Sequence, residues 1–328
     1  MSRFQVVFMI AQCISVLYSW DISNSHRNDV ILRHVSLYYL RAFLCVQSAE
    51  NSTVTTLVES TWPENIIAIK PKAFPNSAFH LGRNKKDCEK IHQALSSDVD
   101  GNGYLWVLDI GSEHCPAKII IFDLENKNTE ILRSTLTGYN GKDLTSIKIN
   151  PYTVGTADHM AYITLRAGLH LIAFFFHSRQ FRKVAVSSGD DWPEDQVYPT
   201  DIAFTLDKRL YIADKDGNLY VTASMNTAND TEIKSNYLGT LLDQPRGLIT
   251  DEKGYLYYII PRFGAVVRWN PTRTLNAEGH DVLKFHTDSI IQILFGVRGS
   301  VWIAMEKMLT MRDHCLRIMY HFSNNAIL

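Results

Sequence analysis

Residues 100–107 form the sequence Asp100-Gly101-Asn102-Gly103-Tyr104-Leu105-Trp106-Val107, a turn-forming tetrapeptide followed by alternating aromatic and aliphatic residues. Asp, Asn and Gly supply the positive φ angles that tight turns between antiparallel strands require. The alternation after the turn is typical of a strand whose side chains fill the space between neighbouring sheets. This stretch therefore predicts one half of a β-hairpin.

The same pattern recurs along the chain. Clear copies occupy residues 206–212, 251–258 and 297–303, and weaker copies occupy residues 65–69 and 160–163. Equivalent points in the copies are separated by 39, 56, 49, 46 and 45 positions and are occupied by Ile67, Trp106, Tyr162, Tyr211, Tyr257 and Trp302. One copy in roughly 40–50 residues is the period of a propeller blade.

A single four-stranded sheet cannot bury both of its faces, so several such sheets must pack radially. The repeats therefore predict an all-β chain that folds as a six-bladed β-propeller. The first copy is weak, which predicts a divergent or incomplete first blade. We expect residues 20–328 to form this single domain.

The composition excludes several classes of protein. The chain has 328 residues, with 33 Lys plus Arg against 34 Asp plus Glu, and no basic block or tail. A protein that grips phosphate backbones needs a basic surplus or stripe, so nucleic acid is not an expected partner. Hydrophobic residues make up 46% and charged residues 20%, which is typical of a globular protein with a real core and excludes disordered and low-complexity classes.

The amino terminus has the layout of a secretory signal peptide. Arg3 precedes an apolar run that continues to Leu17, and this run is too short and too interrupted for a membrane span of about 20 residues. We expect residues 1–19 to be removed and the protein to be secreted. The alternative is an amphipathic or core segment of a cytosolic protein. Residues 35–46 are also apolar, so a cut after Ala49 is a second option, and no later stretch approaches the length of a membrane span.

Two acceptor sequons agree with secretion. They are Asn51-Ser52-Thr53 and Asn229-Asp230-Thr231, and they predict glycosylation of Asn51 and Asn229 on exposed loops.

The region around Trp106 resembles a known family. The residues that carry the resemblance are Asp87-Cys88, residues 105–111 and residues 115–124, with further matches at residues 72–75, 144–146, 161–164, 168–169, 201–203, 210–211 and 264–270. Together they are similar to the insect yellow and major royal jelly protein family over about residues 60 to 305, a span judged against the repeat period. The resemblance implies a secreted, usually glycosylated six-bladed propeller.

The resemblance also implies a disulfide bond between Cys88 and Cys115, because the family has cysteines at both places. Closing this loop of 27 positions stabilises a secreted protein by roughly 3–4 kcal/mol on the chain-entropy model. The alternative is a pair of buried reduced thiols, which a cytosolic location favours. Cys45 and Cys315 have no predicted partner, and Cys13 lies within the expected signal peptide.

Residues 98–109 match the ligand spacing of a calcium-binding EF-hand loop, with Asp98, Asp100 and Asn102 as oxygen ligands and Asp109 at the last position. An EF-hand also needs a helix on each side, and Gly111 and Pro116 exclude an exit helix here. We therefore expect a hairpin turn and no metal site.

Known catalytic motifs are missing from the sequence, including zinc-protease, serine-hydrolase, phosphate-loop and Cys-x-x-Cys patterns. No cofactor is expected. In a propeller the innermost strands converge on a central channel, where ligands bind. Alignment of the repeats places five polar residues just ahead of these strands, and they are the candidate ligand-binding residues: Ser96, Ser146, Asp201, Arg246 and Gln292.

Among these residues, Asp201 is suited to an amine and Arg246 to a carboxylate. The alternative is that the five side chains hydrogen-bond one another and ordered water.

Three hypotheses about function follow. The first is a secreted yellow-like protein that binds a small molecule in the channel, such as a biogenic amine, a catecholic pigment precursor or a sterol. The second is an enzyme of the dopachrome-conversion type in pigment formation, for which a channel group with a pKa near 6–7 is required. The third is a structural or cuticle-associated protein without a ligand. The sequence does not define an oligomeric state.

Overall fold

The computed structural model describes residues 30–48, 55–62, 71–80, 86–157, 159–189, 196–222, 231–287, 289–296, 300–305 and 321–322. Regular structure in these residues consists of 23 β-strands and four 3-10 helices of three residues each. The prediction of an all-β chain is confirmed. None of the helices in these ranges has the length and apolar character to cross a membrane.

The strands fall into six consecutive antiparallel groups, which we call meanders 1 to 6. Meander 1 contains β1 (Val30–Tyr38), β2 (Arg41–Ser48), β3 (Leu57–Thr61) and β4 (Lys72–Ala73). Meander 2 contains β5 (Ala94–Val99), β6 (Tyr104–Asp109), β7 (Lys118–Asp123) and β8 (Thr129–Thr135). Meander 3 contains β9 (Leu144–Ile149), β10 (Met160–Leu165), β11 (His170–Phe175) and β12 (Gln180–Ser188).

Meander 4 contains β13 (Pro199–Phe204), β14 (Leu210–Asp214), β15 (Asn218–Thr222) and β16 (Glu232–Thr240). Meander 5 contains β17 (Arg246–Thr250), β18 (Leu256–Ile260), β19 (Ala265–Trp269) and β20 (His280–Phe285). Meander 6 contains β21 (Ile290–Phe295), β22 (Val301–Met305) and β23 (His321–Phe322). The short helices are Ser77–Phe79, Gly141–Asp143, Pro261–Phe263 and Ala277–Gly279.

The meanders do not map one to one onto sheets. Meanders 1, 2 and 5 are separate four-stranded sheets, and meander 6 has three strands in the described residues. Meanders 3 and 4 share one eight-stranded sheet, because their last strands β12 and β16 pair in parallel. The described strands thus form five sheets, and the blade number of six stays a prediction.

Apolar cores lie between successive meanders. One core joins meanders 1 and 2 through Phe43 and Leu105, and another joins meanders 3 and 4 through Tyr162 and Ile212. The core between meanders 6 and 1 contains Trp62 and Trp302, whose ring centroids are 5.2 Å apart in an edge-to-face arrangement. The contact between the last and first meanders closes the arrangement into a ring.

The first strand of each meander contacts the first strand of the next, and β21 contacts β1 in the same way. We call β1, β5, β9, β13, β17 and β21 the inner strands. A ring of this kind gives every sheet two neighbours, so both faces of each sheet are covered.

Five of the six predicted equivalent points lie in the second strand of successive meanders, and they are Trp106, Tyr162, Tyr211, Tyr257 and Trp302. The first point, Ile67, lies outside the described residues. The second strand of meander 1 is instead β2, and the apolar stretch at residues 35–46 forms most of the β1–β2 hairpin. A cut after Ala49 would remove both strands, together with the contacts that close the ring.

The recurring Asp-Gly pattern is explained by a set of carboxylate hydrogen bonds that several turns of this chain share. Asp100 Oδ1 accepts hydrogen bonds from the amides of Asn102 (2.8 Å) and Tyr104 (3.0 Å), and Oδ2 accepts one from Trp106 Nε1 (3.0 Å). Gly103 has a φ of 77°, a conformation that glycine adopts without strain. The carboxylate thus fixes both the turn and the aromatic side chain.

Asp251 forms the same arrangement with Lys253, Tyr255 and the Tyr257 hydroxyl. A third copy, which the repeat pattern did not predict, lies at Asp214. Its carboxylate accepts hydrogen bonds from the amides of Asp216 and Asn218 and from the hydroxyl of Tyr220. We call these three arrangements the aspartate clamps.

The predicted disulfide bond between Cys88 and Cys115 is present, with the two Cα atoms 5.2 Å apart. Cys45 is a free, buried cysteine, and burial raises its thiol pKa to about 12. Cys13, Cys315 and both predicted glycosylation sites, Asn51 and Asn229, lie outside the described residues.

Candidate functional site

The candidate site lies where the inner strands meet at the centre of the ring. Each inner strand has a register shift against its partner strand near its beginning. In five inner strands the residue that follows the shift is polar, and these residues are His34, Ser96, Ser146, Asp201 and Gln292. The fifth inner strand differs, since its shift lies between Arg246 and Ile249.

The five predicted ligand residues lie within the inner strands and not ahead of them as predicted. Four of them occupy one repeated position, and Arg246 lies on the other side of its shift. The fifth residue at the repeated position, His34, was missed because the repeat pattern placed the first blade too late in the chain. Its position on β1 identifies it once the pairing of β1 with β2 is known.

Most of the repeated polar residues bind the next inner strand. Gln292 Oε1 accepts a hydrogen bond from the Val35 amide (2.8 Å), and Gln292 Nε2 donates to the Val35 carbonyl (2.9 Å). Ser96 Oγ accepts from the Ile147 amide at 3.3 Å. Asp201 Oδ2 accepts from the Leu248 amide at 3.0 Å. These three side chains hold neighbouring meanders together through backbone groups of the next inner strand, whereas the alternative had them bind one another and ordered water.

Ser146 binds within its own meander. Its hydroxyl pairs with Thr164 Oγ1 at 2.7 Å, and Thr164 Oγ1 also pairs with Thr145 Oγ1 at 2.6 Å. Within the described residues, the Ser146 hydroxyl therefore binds inside meander 3 and not to meander 4.

His34 lies deep inside the protein on β1. Its Nδ1 accepts a hydrogen bond from the Ser97 amide at 3.4 Å, which requires an unprotonated Nδ1. Burial, followed by the positive charges of Lys148 and Arg246, lowers the pKa of His34 to about 3. The imidazole is therefore neutral at physiological pH.

Asp98 is the second titratable group in this region. Its Oδ2 accepts from the Ile149 amide (2.9 Å) and its Oδ1 from the Val99 amide (3.0 Å). Burial raises the pKa of Asp98 to about 6, against the opposing effects of these two amides and of Lys148. Although protein surrounds both His34 and Asp98, each keeps some solvent-accessible surface. Both residues therefore reach solvent in spite of the protein around them.

Two cations complete the site. Lys148 on β9 donates from Nζ to the Leu248 carbonyl on β17 at 3.1 Å. Arg246, at the start of β17, is exposed. We call His34, Asp98, Lys148 and Arg246 the channel cluster. Of its members only Arg246 was predicted, although Asp98 and Lys148 each lie two residues from a predicted position.

The described residues contain no group of three or more His, Cys, Asp or Glu side chains that could hold a metal ion. The channel cluster instead offers hydrogen-bond donors from Lys148 and Arg246, a neutral imidazole, and a carboxyl group that titrates near pH 6. These groups can bind a polar small molecule or transfer a proton.

Comparisons with known proteins support the fold. No protein-family model matches the chain, and no curated protein sequence matches it either. Virginiamycin B lyase from Staphylococcus aureus is similar in structure, with a TM-score of 0.55 and 10% identity over 95% of this chain and 89% of the lyase.

A gluconolactonase, XC5397 from Xanthomonas campestris, has a TM-score of 0.56 and 12% identity over 92% of this chain and 88% of that chain. A streptogramin B lyase structure has a TM-score of 0.52 and 12% identity over 93% and 96% of the two chains. Because all three are propeller proteins, the likeness shows a β-propeller fold for this chain.

Proposed function

We propose that this chain is a secreted, yellow-like propeller protein with six blades that binds a small molecule in its central channel. The observation that supports binding most directly is the channel cluster. His34 and Asp98 are surrounded by protein yet keep some accessible surface. Lys148 and the exposed Arg246 present N–H donors that the described residues do not use.

Secretion and family membership are supported by different observations. The disulfide bond between Cys88 and Cys115 agrees with an oxidising compartment. It also lies at the two positions where the resemblance to the yellow family implies a disulfide. Expression of the full chain in insect cells tests secretion. We expect protein in the medium that lacks residues 1–19 and loses mass with a glycosidase, and retention inside the cell would contradict the proposal.

Binding is tested by isothermal titration of the purified protein with dopamine, serotonin, octopamine, 3-(3,4-dihydroxyphenyl)propionate and cholesterol. We expect saturable heat with at least one of these compounds. The variant Arg246→Gln should weaken the binding of any channel ligand that contacts the guanidinium. Arg166→Gln is the matched control, because Arg166 is exposed on the turn after β10, outside the channel. No heat with any compound would favour a structural protein without a ligand.

One observation favours a second candidate, an enzyme of the dopachrome-conversion type. That reaction removes a proton at one carbon and returns it at another, and a carboxyl group with a pKa of about 6 suits this task. The test is the loss of dopachrome absorbance with wild-type protein and with Asp98→Asn. Turnover that Asp98→Asn abolishes would support catalysis, while equal rates would exclude Asp98 as the acid-base group.

A further inference from the structure

We propose that the channel ligand carries an anionic oxygen group, such as a carboxylate, which binds between the Lys148 ammonium and the Arg246 guanidinium. This inference rests on the proposed function, since it names the chemical class of the ligand that the channel takes.

The position of Lys148 follows from its hydrogen bond. Lys148 belongs to β9, and its Nζ reaches the Leu248 carbonyl on β17. In ring order β13 lies between these two strands. A side chain that passes the neighbouring inner strand has to run through the interior of the ring. The ammonium group therefore lies inside the channel.

The guanidinium of Arg246 belongs to the same region. Arg246 precedes Leu248 by two residues on β17, so its guanidinium belongs to the strand that the Lys148 ammonium reaches. Both cations also act on the His34 imidazole, on β1, and lower its tendency to take up a proton. Lys148 and Arg246 thus approach a common space from two strands, with a neutral imidazole on a third.

These cations hold more donors than the protein uses. A lysine ammonium has three N–H groups, and the Leu248 carbonyl takes one of them. A guanidinium has five N–H groups in a planar fork that matches a carboxylate. Among the described residues, no carboxylate lies within ion-pair distance of either cation. An anionic ligand would supply the missing acceptors.

By contrast, the carboxylates of the channel already accept hydrogen bonds from backbone amides. Asp98 accepts amide hydrogen bonds at both oxygens. Asp201 does the same, with Ile202 at Oδ1 (2.8 Å) and Leu248 at Oδ2 (3.0 Å). A ligand amine would have to share these oxygens with backbone amides, whereas a ligand carboxylate meets free donors. This disfavours the amine that the sequence suggested for Asp201.

The experiment compares two catechols that differ in the charge of their side chain, 3-(3,4-dihydroxyphenyl)propionate and dopamine. Titration calorimetry at pH 7.5 with wild-type protein should show at least about tenfold tighter binding of the propionate. Arg246→Gln should remove most of that preference, Arg246→Lys should keep part of it, and Arg166→Gln should leave it unchanged. Lys148→Met is a second variant, used if its melting temperature stays near that of the wild type.

The outcomes distinguish the anionic ligand from channel binding itself. Tighter binding of dopamine would overturn the anionic ligand, and a preference for the propionate that survives Arg246→Gln would overturn its place between Lys148 and Arg246. Both results leave channel binding intact. Binding of serotonin or cholesterol with no binding of the propionate would do the same. If no compound binds, channel binding itself is contradicted, and the anionic ligand is contradicted with it.

Discussion

The aspartate clamps and the inner-strand side chains both supply acceptors for backbone amides. The clamps do so within one turn, and the inner-strand side chains do so between strands that are far apart in sequence. In each clamp one carboxylate satisfies backbone amides two and four residues later and an aromatic polar group six residues later, at Asp100, Asp214 and Asp251. In the ring the same kind of acceptor is supplied by three residue types, Ser96, Asp201 and Gln292, and the amide belongs to the next inner strand.

The difference comes from sequence separation. A clamp spans seven residues, so its geometry fixes the spacing and nearly fixes the residue types. The link from Gln292 to Val35 joins residues 257 positions apart, and only the position of an acceptor is required there. Local contacts therefore leave a motif in the sequence, and long-range contacts leave only a polar residue.

The largest effect that separates the two regions is expected from Asp100→Ala. This change leaves the Trp106 indole N–H and the amides of Asn102 and Tyr104 without their acceptor in a buried site. It also removes the carboxylate that lies 3.2 Å from the buried His159 Nε2. We expect a loss of about 3–5 kcal/mol in the free energy of unfolding, measured by urea denaturation.

The matched comparison is Asp251→Ala, which removes the same local contacts from a less buried turn. A loss of about 1–2 kcal/mol is expected there. Equal losses in the two variants would show that burial does not set the strength of a clamp.

The same distinction explains how much could be predicted. The turn at Asp100 and the strand that holds Trp106 were evident in the sequence, because their contacts are local. Four of the five candidate channel residues were placed at the repeated position, since the repeat period carried over from the turns. His34 and Lys148 could not be found in this way, because β1 lacks the turn motif and Lys148 acts through a contact 100 residues away.

The next effect is the pH dependence of stability, to which two groups of the channel contribute with opposite signs. The pKa of Asp98 in the folded protein, about 6, lies above its unfolded value near 4, so its contribution to stability is lost as pH rises from about 4 to 6. The pKa of His34, about 3, lies below its unfolded value of 6.5, so its contribution is lost as pH falls below about 6.5. Between pH 4 and 6 the two effects cancel.

Single substitutions should separate them. Relative to wild type, the stability of Asp98→Asn should rise by about 2–3 kcal/mol from pH 4 to 6, and that of His34→Asn should fall by a similar amount. Urea denaturation at pH 4, 5 and 6 measures both slopes. Slopes of the same sign in the two variants would contradict the assignment.

A smaller effect is expected at the closure of the ring. Gln292→Met keeps the side-chain length but removes both hydrogen bonds to Val35, and it should lower the free energy of unfolding by about 1–2 kcal/mol. Hydrogen exchange should increase first at β1 and β21. Gln244→Met is the control, because Gln244 is exposed, and it should leave both measurements unchanged. No change with Gln292→Met would mean that apolar packing alone closes the ring.

The smallest effect is expected in a turn that departs from the clamp pattern and that one substitution brings closer to it. The turn after β13 follows the clamp pattern, but Thr205 stands where Asp100 and Asp251 do, and its Oγ1 accepts from the Arg209 amide at 2.8 Å. Lys208 stands where the clamps have glycine, and its φ is 63°. A side chain in this left-handed region costs about 1 kcal/mol relative to glycine.

Lys208→Gly should therefore stabilise the protein by about 0.5–1 kcal/mol, although it removes an ammonium that lies 6.0 Å from the Tyr152 ring. Lys208→Ala is the matched control, since it loses the same ammonium and keeps the strained backbone, and it should not stabilise. Gly254→Ala creates the reverse change in a turn where an added Cβ meets no atom within 4 Å, so it should destabilise by about 1 kcal/mol through φ alone. Stabilisation by Lys208→Ala equal to that by Lys208→Gly would show that charge, and not backbone conformation, distinguishes this turn from the clamps.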